Sequence, residues 1–171
     1  LPEGATVADV AASIGAGLAK AALGGIVNDR PVDLAAPVAD GDAVAIVTTK
    51  SPEALELLRH STAHVMAAAL TDLYGDVVFG VGPAIENGFY YDVRLPEGTA
   101  LSPDDFAAIE ARMAEIIAAD EPFLRTEVSR DEARALFADQ PLKLELIEEL
   151  PADEVITTYA IGSFTDLCRG P

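Results

Sequence analysis

The sequence predicts an α+β chain, and three observations carry that prediction. Apolar residues recur at spacings of three and four over residues 51–74 and 102–117, as in helices packed by one side. Short runs rich in β-branched and aromatic residues, clearest at Val44–Thr48 and Thr157–Ile161, stand between Gly, Asn and Pro turn signals. No internal repeat or low-complexity tract interrupts this alternation.

The 171 residues have room for one medium domain or two small ones with real cores. No apolar run approaches bilayer length, and no basic segment followed by an apolar run opens the chain, so neither a membrane span nor secretion is expected. The single cysteine, Cys168, forbids an internal disulfide and suits a reducing, cytosolic setting. Acidic residues outnumber basic ones 29 to 11, a net charge of −18. That argues against a broad electrostatic grip on nucleic acid, which needs clustered Lys and Arg.

Residues 1–49 read as one compact module. Thr6 and Asp9 form a capping box, Val7, Val10, Ala11 and Ile14 supply a helical stripe, and Gly15 ends the helix. A second apolar piece follows around Leu18–Leu23. Gly24-Gly25 then breaks the chain before a short strand at Ile26-Val27, Asn28-Asp29 turns, and Pro31–Leu34 returns as a strand. Residues 38–42 form a loop, and Val44–Thr48 is the last strand. No acid–base cluster occurs here, so a binding or spacer role is expected.

Residues 50–53 form a short joint. Ser51 suits the N-cap and Pro52 the first position of a long helix to Tyr74. Leu55, Leu58, Thr62, Val65, Ala69 and Leu73 form one apolar stripe. At about 100° per residue, His60 and His64 fall roughly 160–180° from its centre, beside the small Ala67, Ala68 and Thr71. The helix is thus expected to pack by one side and present paired imidazoles on the other. Spacing alone leaves both a catalytic and a structural reading open, and Ser61 after His60 departs from the HExxH zinc-protease pattern.

Beyond Gly75-Asp76, Val77–Phe79 reads as a strand, and Asn87-Gly88 marks a turn within residues 80–92. That segment reads as a core hairpin or as a loop approaching a ligand, the hairpin being favoured. Ser102–Asp105 starts a helix with Phe106, Ile109, Met113, Ile116 and Ile117 on its buried face, ended by Pro122. Phe123–Val128 is a strand, and Ser129 with Glu132 caps a short helix at 131–138. Leu142–Leu150 reads as a helix with a solvated acidic face around Lys143. Strands at 157–161 and 164–168 flank a Gly162-Ser163 turn.

Three separated blocks then agree. Arg59–Val65 (RHSTAHV) resembles the RHSxAH signature of threonyl-tRNA synthetases, Gly82–Asp92 (GPAIENGFYYD) their GPxIxNGFYYD segment, and Asp166–Pro171 (DLCRGP) their DxCRGPH block without its last histidine. GATVADVAASIG, GLAKAA, GIVND and DGDAVAIVT are similar to the TGS module, whose first strand would lie ahead of Leu1. The resemblance implies a small β-grasp (ubiquitin-like) TGS domain at 1–49, a joint at 50–53 and an editing domain at 54–171. The latter would be an α+β domain with a sheet backed by helices, truncated at its C-terminal end.

The implied task is hydrolysis of serine mistakenly attached to tRNA(Thr). Threonine differs from serine by one methyl group, which supplies limited discrimination and calls for a second sieve. The resemblance implies catalytic roles for His60 and His64 in proton handling and water or ribose positioning. It implies another for Lys143 in charge stabilisation, which the residues alone leave level with a surface lysine among glutamates. Cys168 would line the pocket and Asp166 hold the serine ammonium or hydroxyl. Tyr90 and Tyr91 would pack on the terminal adenosine or amino acid, and Arg169 meet phosphate or pair with an acid.

No cofactor is expected for editing. Zinc on His60, His64 and Cys168, by likeness to alanyl-type editing folds, is the minority reading. ATP belongs to an absent aminoacylation core. Expected partners are serine-charged tRNA(Thr) and the rest of a cytoplasmic, homodimeric synthetase. The competing readings are a non-catalytic RNA-binding or regulatory fragment and an alanyl-type trans-editing domain.

Overall fold

The computed structural model describes Pro2 and residues 4–171; Leu1, where the predicted first module begins, lies outside the described residues. The chain divides into two compact units. One runs to Arg59 and includes Gly170–Pro171, and the other is His60–Arg169.

In the first unit, α1 (Val7–Ile14) starts at the predicted capping box. Asp9 Oδ2 accepts from the Thr6 N–H at 2.9 Å, and Thr6 Oγ1 accepts from the Asp9 N–H at 3.3 Å. Gly15 ends it and α2 (Ala16–Ala21) follows. Strands β1 (Ala22–Val27), β2 (Arg30–Val32) and β3 (Val44–Thr48) form an antiparallel sheet in the order β2-β1-β3. Asn28 and Asp29 both take left-handed φ values, 50° and 65°, as a tight hairpin turn with the twist of its strands requires.

One expectation fails here. Gly24-Gly25 does not break the chain but lies inside β1. A Cβ on Gly25 would stand 2.6 Å from Val7 Cγ1, so glycine lets the buried Val7 reach the sheet. The pair reads as a breaker by composition and acts as a packing recess.

α3 (Ala54–Tyr74) is a single helix in which the division between the units falls. It begins three residues after Ser51, whose Oγ accepts from the Thr48 N–H at 2.9 Å rather than capping the helix. Its burial also corrects the predicted stripe. Leu55, Leu58 and Leu73 are exposed, whereas Ala63, His64, Val65 and Ala67–Leu70 are buried. Small side chains let neighbouring segments close around the middle of the helix, so the face expected to line an open cleft is packed.

The second unit's main sheet is antiparallel, in the order β10-β9-β8, from β8 (Leu124–Val128), β9 (Ile156–Ile161) and β10 (Phe164–Leu167). Two small pairs stand apart: β4 (Val78–Phe79) with β7 (Val93–Arg94), and β5 (Ala84–Ile85) with β6 (Gly88–Phe89). The β5–β6 hairpin exposes Ile85 and so is no core hairpin. α4 (Phe106–Ala118) follows a 3-10 turn at Pro103–Asp105. It buries Ile109, while Phe106 and Ile117, predicted on its inner face, are exposed. α5 (Arg130–Leu136) starts at the Ser129–Glu132 capping box, and α6 (Pro141–Glu149) buries Lys143 and Ile147 one turn apart.

Gly25→Ala should destabilise the first unit by about 1–3 kcal/mol through overpacking against Val7. Gly17→Ala, in α2 with open space around it, should stabilise by about 0.5–1 kcal/mol. Urea midpoints of the two variants check the pair, and equal effects would refute the recess.

Candidate active site

Three elements of the second unit deliver the site. α3 places His60 and His64 one turn apart, with ring centroids 4.9 Å from each other. β10 and its extension place Asp166 and Cys168 two residues apart, and therefore on the same side of the strand. Beyond the last rung, the Cys168 N–H donates to the Thr157 carbonyl at 3.2 Å and the Thr157 hydroxyl donates to the Cys168 carbonyl, so Cys168 stays tied to β9. The first turn of α6 directs Lys143 inward.

These residues touch directly. His60 Nε2 lies 3.2 Å from Cys168 Sγ and 3.3 Å from His64 Nε2. His64 Nδ1 is 3.1 Å from Asp166 Oδ2, an ion pair when the imidazole is protonated. Lys143 Nζ meets Asp166 Oδ1 at 2.7 Å and donates to the Tyr91 hydroxyl at 3.0 Å, while that hydroxyl donates to Asp166 Oδ2. Lys143 and Asp166 are 3% and 2% exposed. Lys143 is therefore no surface lysine among glutamates.

Burial and pairing compete at each group. For His64 burial disfavours the cation, yet Asp166 and Cys168 outweigh it and raise its pKa to about 9. For Cys168 burial disfavours the anion, yet the two imidazoles lower its pKa to about 6. Burial likewise opposes the Asp166 carboxylate, but His64 and Lys143 hold its pKa below the usual range. Tyr91 is pushed upward by burial and by Asp166, so it remains a neutral donor. Between about pH 6 and 9 an imidazolium and a thiolate therefore coexist. Stability from the His64 charge is full below its ordinary 6.5 and is lost as pH rises through about 9. Stability from the thiolate is full above its ordinary 9.0 and is lost as pH falls through about 6.

A cavity of about 380 Å³ opens at Cys168, lined also by Val81, Leu150, Val155, Thr157 and Arg169. Of the predicted residues, His60, His64, Lys143, Asp166, Cys168 and Tyr91 come together. Tyr90 is exposed and not part of this lining. Arg169 is exposed and faces Glu154 at 3.5 Å, which is the acid-pairing reading. Sequence reasoning missed Thr157, for which nothing but its strand position gave a signal. It also placed Tyr91 against substrate, whereas its hydroxyl is spent on Lys143 and Asp166.

The donor set is compatible with a metal. Nitrogen and sulfur donors of His60, His64 and Cys168 all lie within 4.8 Å of one another. A tetrahedral zinc with ordinary bond lengths would separate such donors by about 3.4–3.6 Å, slightly more than the contacts found. Asp166 beside the far nitrogen of His64 matches the usual outer partner of a metal-bound histidine.

Comparison with known proteins gives the site a context. Residues 1–48 match the TGS domain family. Over 99% of its length the chain is 50% identical to the threonine–tRNA ligase of Bacillus velezensis. It is 53% identical over 98% of its length to that of Staphylococcus saprophyticus, and 48% over 98% to threonine–tRNA ligase 1 of Bacillus subtilis. It spans 26% of each of these relatives. The chain is thus similar, from end to end, to the N-terminal region of threonine–tRNA ligases, and its α+β build includes a TGS β-grasp domain. No helix among the described residues is long and apolar enough to cross a membrane.

Alkylation of Cys168 by iodoacetamide should titrate with an apparent midpoint near 6, against about 8.5 for an ordinary thiol. His60→Ala should move that midpoint up, because the contact with His60 is the first of the interactions that lower it. A midpoint near 8.5 in the unaltered chain would refute the imidazole–thiolate arrangement.

Proposed function

We propose that the chain is the editing region of a threonine–tRNA ligase and hydrolyses seryl-tRNA(Thr), with residues 1–49 as TGS domain, 50–53 as joint and 54–171 as hydrolytic domain. The observation that carries this reading is the unbroken path Cys168–His60–His64–Asp166, which reaches a cavity at Cys168. Ester hydrolysis needs proton-handling groups packed together at a space a substrate can enter. The path supplies them.

In this reading the attacking water gives its proton to the Cys168 thiolate as its oxygen bonds to the ester carbonyl, and His60, donating from Nε2 to the sulfur, holds thiolate and water in place. When the ester C–O bond breaks, the same proton passes to the leaving ribose oxygen. The His64 imidazolium, held by Asp166, supplies positive charge for the oxyanion. Both Asp166 oxygens already face Lys143, His64 and Tyr91. Holding the serine ammonium would displace one of them, so Asp166 is assigned to positioning His64. Cys168, anionic at the cavity wall, faces the ammonium instead.

No resident metal is needed for these steps. Were zinc bound, His60, His64 and Cys168 would hold it and it would supply Lewis acidity. The remaining three quarters of such a ligase would carry the ATP-using aminoacylation core and anticodon-binding domain, as a cytoplasmic homodimer. A non-catalytic RNA-binding role is disfavoured because Arg112, Arg125, Arg134 and Arg169 each pair with an acid.

Deacylation assays with Ser-tRNA(Thr) and Ser-tRNA(Ala) test the proposal. Turnover of the first, reduced at least about tenfold by His60→Ala in a folded protein, is the expected result. Chelator treatment should leave the rate unchanged. No turnover of either substrate would favour the non-catalytic reading, and preference for the alanine tRNA the alanyl-type one.

A further inference from the structure

The contact between Lys143 and Tyr91 joins segments 52 residues apart that share neither a helix nor a strand ladder. One residue that the hydrolytic scheme does not use reaches both sides of that junction. The Gln140 side chain accepts from the Phe79 N–H through Oε1 at 2.9 Å and donates from Nε2 to the Val77 carbonyl at 2.9 Å. It therefore clips onto β4 as another strand would. Its own carbonyl receives the N–H groups of Lys143 and Leu144 at 2.9 and 3.0 Å, which starts α6.

The clip sets two positions at once. On one side it fixes the first turn of α6, from which Lys143 extends. On the other it fixes the Phe79 backbone, and the buried Phe79 ring meets Tyr91 edge-on at 5.3 Å. Tyr91 also packs closely on Gly82, where a Cβ would stand 2.5 Å from the ring. Both donors to Asp166 that come from outside α3 are thus registered against β4.

We infer that Gln140 is a positioning residue for Lys143. Its amide locks the start of α6 to β4 so that the ammonium lands between Tyr91 and Asp166. The inference rests on the proposed hydrolytic site only for its kinetic consequence.

The chain has three lysines, and Lys20 and Lys50 are exposed, so they are internal references for an amine-acylating reagent read by mass spectrometry. In the unaltered chain Lys143 should be acylated at least about tenfold more slowly than Lys50, as its burial requires. Gln140→Ala should raise the Lys143/Lys50 ratio severalfold in a protein that keeps its helical ellipticity. Gln140→Glu supplies the readout that a merely structural role would not move. Ionised, its second oxygen faces the Val77 carbonyl and the clip opens; protonated, it donates there and the clip closes.

The Gln140→Glu ratio should therefore be high at pH 8 and fall back toward the unaltered value at pH 5. A ratio unchanged in folded Gln140→Ala would overturn the inference, as would a Gln140→Glu ratio that does not depend on pH. Should Gln140→Ala fail to fold, the Gln140→Glu comparison decides alone. For Ser-tRNA(Thr), kcat should fall about ten- to a hundredfold in Gln140→Ala with KM little changed. Lost protection of Lys143 with undiminished turnover would uphold the clip and show that hydrolysis does not need the Lys143–Asp166 contact.

Discussion

An ionised carboxylate buried almost completely is the constraint on which the second unit depends. Taking such a group out of water costs several kcal/mol, and partners must offset that. Asp166 has them from three chain segments: His64 on α3, Tyr91 beyond β6 and Lys143 on α6. Removing any one leaves a charge in a site too dry to solvate it, a loss of about 3–5 kcal/mol for a buried pair. Between about pH 6 and 9 the Cys168 thiolate and the His64 imidazolium offset one another, while Lys143 and His64 face the Asp166 carboxylate. Opposite charges are then matched within the cluster, with Tyr91 between them as a neutral donor. This is what lets it be both packed and reactive.

The fold supplies this balance through two elementary periodicities. Helical spacing of four stacks the imidazoles on α3, and strand spacing of two sets Asp166 and Cys168 on one side of β10. Neither would suffice if the helix stood off from the sheet. Ala63, Ala67 and Ala68 have little bulk, so neighbouring segments close over α3, and His64 sinks among Tyr159 and Phe123. The same closeness that desolvates the ions shortens the distances over which they attract. Burial and pairing therefore have one structural cause.

Much of this was legible in the sequence, and the failures have physical reasons. The capping boxes at Thr6 and Ser129, the hairpin turn at Asn28-Asp29 and the strand Val44–Thr48 are local chemistry, which a sequence displays directly. His60, His64, Asp166 and Cys168 were marked by spacing and resemblance, and they do meet. Tertiary context decided the rest. Whether alanines on α3 floor an open cleft or seat a neighbouring segment depends on residues far along the chain. Gly24-Gly25 reads as a break until Val7 is seen beside it. Lys143 among glutamates looks solvated because the pattern of α6 does not reveal what its first turn is fastened to. The fastening, Gln140 on β4, spans 61–63 residues and carries no motif.

The charge distribution bears on how such a site is used. The chain carries −18, and most cations of the second unit are already committed: Arg112, Arg125, Arg134 and Arg169 to acids, and Arg130 to the carbonyls of Ile147, Leu150 and Pro151 at the end of α6. Exposed pairs of this kind contribute little to stability, about 0–1 kcal/mol each, but they remove the free positive charge that a phosphate backbone seeks. On the proposed hydrolytic reading, a site built this way would discriminate the ester end of a long anion rather than the anion itself. On the hydrolytic proposal, weak affinity for the backbone would be an advantage, because a correctly charged substrate would have to leave as readily as a wrong one is cleaved. By the same reading, discrimination would fall to the cavity at Cys168, where Val81, Leu150 and Val155 stand beside the acidic Glu149 and Glu154 and where one methyl group would have to be told from none.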